Sequence, residues 1–159
     1  MCIINWKYKK GDDILLKVIV LFLLITNMYS NSNKNEIKIH DVIAKEIFHK
    51  DTINTYISSE ELNSKIQKYS KYIISSKIEN SKYIILSDDI KIANSNVILF
   101  VTSYSLLKTQ KNAIGAFYWK KNRPTIIFIK ERLEKKGITL SDSFKKYYED
   151  EKCLYELCF

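Results

Sequence analysis

Glycine is nearly missing from this chain. Gly11, Gly115 and Gly137 are the only three in 159 residues, and no two are close enough to build a glycine-rich phosphate loop of either common type. The single proline, Pro124, excludes a proline-rich linker. Two histidines, His40 and His49, stand nine residues apart. On one helix that spacing puts them on opposite faces, so they cannot share a metal ion locally. The expected reading is two surface histidines, with no metal or cofactor site. Arginine is also scarce, 2 against 24 lysines, while isoleucine and asparagine are abundant. That bias suits AT-rich coding and weakens the pI of 9.2 as a sign of nucleic acid. Beyond residue 32 there are 22 basic and 16 acidic side chains, a net of +6, alternating in sign rather than forming one face. No nucleic-acid partner is expected from such a distribution.

Cysteine is absent from Asn33 to Lys152. Cys2 lies in the N-terminal segment, and Cys153 and Cys158 close the chain in CLYELC. On a continuous helix those two side chains would lie about 140° apart, so a bridge between them requires the helix to end first. A bond to a second molecule is the other oxidised arrangement. Two small apolar residues on a tail is the reduced one.

What the N-terminus does have is an address. Lys7, Lys9, Lys10 and Lys17 precede the apolar run Val18–Ile25, and Thr26, Asn27, Ser30, Asn31 and Ser32 follow it. A basic part, a short apolar part and a small, polar exit make a secretory signal peptide over residues 1–32, cleaved near 30–32. The mature chain then starts near Asn31 or Asn33, in the periplasm. The run is too short for a stable span of roughly 30 Å of hydrocarbon, so no membrane span is expected after processing. An uncleaved anchor that recruits Ile14–Leu16, or a buried strand, remains open for the same run.

The rest, residues 33–159, is long enough for one domain with one core. Ile39, Val42, Ile43 and Ile47 predict a helix over 36–49, and Ile53–Ile57 a short strand. Ser58 with Glu61 reads as a capping box opening a second helix, with Leu62, Ile66, Tyr69 and Ile73 on one face. Tyr72–Ser75 is either a strand or an extension of that helix. Tyr83–Leu86 and Val97–Val101 read as strands, the second apolar enough to be buried on both faces. Ala113–Lys120 and Thr125–Lys130 predict a hairpin across Lys121-Asn122-Arg123. A helix follows from Glu131 to a stop at Gly137, where Ile138 folds back on Leu133. Ser141 is the expected cap of a last helix carrying Phe144, Tyr147, Tyr148 and Tyr155 on one side. The fold class is therefore α/β: a single layered domain, a mixed sheet of about five to six strands, and a C-terminal β-hairpin followed by helices.

No catalytic set emerges from these elements. Asp88, Thr102 and Lys130 follow three strands in the manner of a phosphate-receiver site. The connection Asp89–Asn96 is too short for a regular helical crossover, and Lys130 falls on a hairpin strand. The aromatic set Phe117, Tyr118, Trp119 and Phe128 is the better candidate for a contact surface. Tyr118, Trp119, Lys120, Lys121 and Arg123 are the candidate partner-binding residues, because an aromatic beside cations is typical of interface hot spots. Core packing plus a solvated turn is the plainer account of the same residues.

The same segment carries a resemblance. Ile114-Gly115-Ala116-Phe117, Asn122-Arg123, Ile127-Phe128-Ile129, Leu133, Gly137-Ile138-Thr139-Leu140-Ser141 and Phe144 resemble the C-terminal signature of the YfiR-like family. The likeness covers about Val97–Tyr148. It implies a secreted, non-enzymatic periplasmic regulator that restrains a membrane sensor or diguanylate cyclase by binding its periplasmic domain. The alternative is a periplasmic small-ligand-binding or hydrolytic protein with a site at strand ends, formed by Asp88, Asp89, Thr102 and Ser103. A deep pocket at those residues would favour the second reading, and an aromatic rim at Trp119 the first.

Overall fold

The computed structural model describes Val18 and residues 34–92 and 96–156. The chain divides into two units, Met1–Glu36 and Ile37–Phe159. The expected signal peptide, with its cleavage region, lies outside the described residues except for Val18, which is helical and exposed.

Residues 34–48 are helical (α1), close to the expected 36–49, and their Ile37, Ile43, Ala44 and Ile47 are buried. Strand β1 is Asn54–Ile57, helix α2 Glu60–Tyr69, β2 Ile73–Ile74, β3 Tyr83–Leu86 and β4 Ile98–Val101. Helix α3 is Tyr104–Thr109, followed by β5 Ala113–Lys120, β6 Arg123–Ile129, helix α4 Lys130–Lys135 and β7 Tyr148–Glu149. The seven strands form one sheet in the order β2-β1-β3-β4-β5-β6-β7. Strands β1 to β5 run parallel, β6 is antiparallel to β5, and β7 is parallel to β6.

Alternation along the strands fills two cores. Tyr83, Ile85, Phe100, Phe117 and Phe128 face the side covered by α1 and α2. Ile84, Leu86, Leu99, Val101 and Ile127 face the side that holds Leu107 of α3 and Leu154. Strand β3 is buried at all four positions, which explains why YIIL is continuous rather than alternating. Between β4 and β5 the register slips, so that Leu99 pairs with Ala113 but Phe100 with Gly115. The extra residue, Ile114, makes a bulge and turns Gly115 into the Phe100–Phe128 core. A Cβ there would collide with the Ile127 carbonyl oxygen, so only glycine fits.

Several expectations are corrected. The sheet has seven strands, not five or six, because β2 and β7 are two-residue edge pairings with little sequence signal. Ser59, not Ser58, caps α2, its hydroxyl accepting from the Leu62 N–H at 3.2 Å. Ser58 instead accepts from the Ser87 N–H at 2.8 Å and ties β1 to β3. Ile73 leaves the helix and pairs with Asn54 in the sheet. The last helix is replaced by 3₁₀ turns at Lys145–Tyr147 and Glu151–Leu154 with β7 between them. Phe144 packs edge-on against Phe128 at 6.1 Å, and Tyr147 against Phe144 at 5.7 Å. These contacts hold the segment where β6 can satisfy its backbone, so a strand wins over the helix. Ser141 caps no helix, and its N–H donates to Glu46.

The stop at Gly137 is as expected. Gly137 has φ 64°, the Ile138 N–H donates to Leu133 O at 3.0 Å, and the Gly137 N–H donates to Glu134 O at 3.0 Å. That pair of bonds is the Schellman arrangement.

Candidate functional site: the projecting hairpin

Lys121 and Asn122 both have positive φ, 50° and 60°, so the β5–β6 turn is a two-residue type I′ turn. Arg123 belongs to β6 rather than to the turn, where it pairs with Lys120, and Pro124 pairs with Trp119. Strand β4 pairs with β5 only from Ala113 to Ala116, and β7 pairs with β6 only at Phe128 and Ile129. The outer halves of β5 and β6 therefore project beyond their neighbours as a two-stranded ribbon. Burial falls off along both strands toward the tip. Trp119 is 43% exposed, and Lys120, Lys121 and Arg123 are exposed.

The five candidate residues do not share one face. Trp119 lies on the α1 side, against Phe117 at 6.1 Å. Phe117 in turn meets the ring of His40 edge-on at 5.0 Å. His40 is not a surface residue: it is 1% exposed, and burial lowers its pKa to about 4. His49 is exposed just past the end of α1, with φ 53°.

Tyr118 and Lys120 lie on the other face. With Tyr104, Lys108, Glu149 and Tyr155 they line a cavity of about 720 Å³. The Tyr104 and Tyr118 rings are 6.3 Å apart, and Lys108 Nζ sits 5.0 Å from the Tyr104 ring centre. Burial and the Glu149 carboxylate raise the pKa of both phenols, so both stay protonated at neutral pH, and the Tyr104 hydroxyl donates to Cys153 O at 3.4 Å. Tyr155 already donates to Lys108 O at 3.0 Å. Cys153, also in this lining, is disulfide-bonded to a partner outside the described residues. Its 3₁₀ turn, Glu151–Leu154, ends one residue later. Tyr104 and Lys108 gave no sequence signal, since α3 has six residues, too few for a visible period, and Tyr155 belongs to the expected last helix, which does not form.

The strand-end set is brought to one end of the sheet, because β3 and β4 are parallel neighbours. Two of its members, Asp89 and Ser103, serve the fold there, while the Thr102 N–H continues the ladder to Leu86 O at 3.0 Å. Asp89 accepts from Gln110 Nε2 at 2.6 Å, and the Ser103 hydroxyl caps α3 by accepting from the Leu106 N–H at 3.1 Å. Asp88 is exposed. Among the described residues, no three His, Cys, Asp or Glu side chains gather into a metal-holding group, and no helix is long and apolar enough to cross a membrane.

No family model and no curated protein matches this chain. A crystal structure of a conserved domain protein from Vibrio cholerae O1 biovar El Tor is similar, with 14% identity and a TM-score of 0.48. The likeness covers 72% of this chain and 59% of that one, so this chain spans under two thirds of that protein's length.

Proposed function

We propose that this domain acts by contact rather than by catalysis. In this reading it is a secreted periplasmic regulator that restrains a membrane sensor or diguanylate cyclase through the β5–β6 hairpin. The observation that carries it is the hairpin tip, which leaves the sheet and presents Trp119 beside Pro124 with Lys120, Lys121 and Arg123 uncovered. A large aromatic held out by a rigid ribbon loses little entropy on binding, which is how hot spots work. The resemblance of Val97–Tyr148 to YfiR-like proteins supplies the class of partner. Against the strand-end alternative stand the structural duties of Asp89 and Ser103. Deleting the gene should raise cellular cyclic diguanylate, and a copy carrying Trp119→Ala should fail to lower it again. Unchanged cyclic diguanylate in the deletion would remove the cyclase from the proposal.

A further inference from the structure

The outer edge of β6 over Arg123–Ile127 carries no strand among the described residues. Its backbone parity follows from the turn. A two-residue hairpin makes Lys120 and Arg123 a hydrogen-bonded pair, so Thr125 and Ile127 also bond inward to β5. Pro124 and Ile126 then direct their backbone groups outward. Proline sits where its missing N–H breaks no ladder bond. The Pro124 carbonyl and both backbone groups of Ile126 face the open edge.

Each face beside that edge has a receptacle of different character. A side chain next to Ile126 would enter a groove of about 330 Å³ lined by Ile39, Val42, Ile126, Phe144 and Tyr147, where Val42 is 54% exposed. A side chain next to Thr125 would face the other side, toward Tyr118 and Lys120. The turn end is cationic, and no ion pair engages Lys120, Lys121 or Arg123 among the described residues. Glu149 and Glu156 also line the cavity on the Tyr118 side, Glu149 level with Ile129, four residues along β6 from Thr125 and about 13 Å away at strand rise.

We propose that this edge takes one further strand, an extended segment of the partner protein that is apolar on one face and acidic on the other. Main-chain bonds to Ile126 and Pro124 supply affinity, and the two receptacles supply the alternating pattern. A second copy of β6 is a poor occupant, since its own cations and proline would meet these. The inference rests on the contact reading above and adds the chemistry of the partner.

The test uses purified protein and a fluorescein-labelled octapeptide of alternating valine and glutamate. Saturable binding is expected, weakened about tenfold or more when lysine replaces glutamate, or when the protein carries Lys120→Glu with Arg123→Glu. Of two peptides N-methylated at every second nitrogen, on valine or on glutamate, one should bind and the other should not. Amide exchange at Ile126, measured by NMR, should slow about tenfold or more on saturation, while Thr125 and Ile127 are already slow without peptide. No peptide binding overturns the proposal, as does equal binding of both N-methylated peptides, which would indicate charge alone. If the peptide fails but Trp119→Ala still abolishes partner regulation, strand addition falls and the contact reading stands.

Discussion

Arg132 and Glu151 form a salt bridge of 2.9 Å that joins the hairpin's following helix to the C-terminal turn. Arg132 is 3% exposed. Its Nη1 donates to Leu107 O at 3.1 Å, Gln110 O at 3.1 Å and Ala113 O at 2.9 Å. One guanidinium thus closes the C-terminal end of α3, fixes the start of β5 and holds α4 in place. Arg is the residue for this task because its planar fork reaches several acceptors at once.

Arg132→Met should therefore lower stability by about 3 kcal/mol or more, since three buried carbonyls lose their donor. The urea midpoint checks this. Arg132→Lys should rescue little, because an ammonium cannot reproduce the fork.

His40 predicts acid sensitivity. Its pKa falls from 6.5 to about 4 on burial, so the folded state binds fewer protons than the unfolded chain. Its contribution is complete above about pH 6.5 and is lost as pH falls toward about 4. A shift of that size corresponds to on the order of 3 kcal/mol. Urea midpoints of wild type and His40→Leu at several pH values across this window check the sign. The wild-type midpoint should fall more steeply with acid than the variant's.

Two glycines should respond differently to substitution. Gly137→Val should destabilise by about 1 kcal/mol through the left-handed conformation alone, because nothing lies within 4 Å of its Cβ position. Gly115→Ala should destabilise by more, since it forces the Ile127 carbonyl and Phe100 apart. Chemical denaturation of the two variants side by side gives the order.

The strong periodic and apolar segments were legible in the sequence. Tyr83–Leu86, Ala113–Lys120 and the Gly137 stop depend on local chemistry, namely burial on both faces, an apolar and aromatic run closed by a turn, and a left-handed helix end. Elements decided by distant partners were not legible. Tyr148–Glu149 becomes a strand only because β6 has a free edge beside Phe128, and Ser59 displaces Ser58 as a cap only because Ser58 is engaged by Ser87. At the candidate site the exposed cations and Trp119 were readable from the turn. Their separation onto two faces follows from strand alternation, whereas the cavity on the Tyr118 side depends on Tyr104, Lys108 and Tyr155, which only the fold assembles.

The disulfide at Cys153 is also checkable. Iodoacetamide applied to denatured protein without reductant should leave Cys153 unmodified, and mass analysis after reduction should then show it alkylated.

The central claim is that the hairpin tip, not the strand ends, carries the function. The most direct measurement is capture of the proposed membrane partner from a detergent extract by purified wild type, by Trp119→Ala with Arg123→Ala, and by Asp88→Ala, with circular dichroism confirming that each is folded. Truncating an interfacial Trp or Arg commonly costs about 2 kcal/mol or more, which is visible in such an assay. The hairpin variant should lose the partner while Asp88→Ala retains it. Retention by the hairpin variant together with loss by Asp88→Ala would contradict the account and place the function at the ends of β3 and β4.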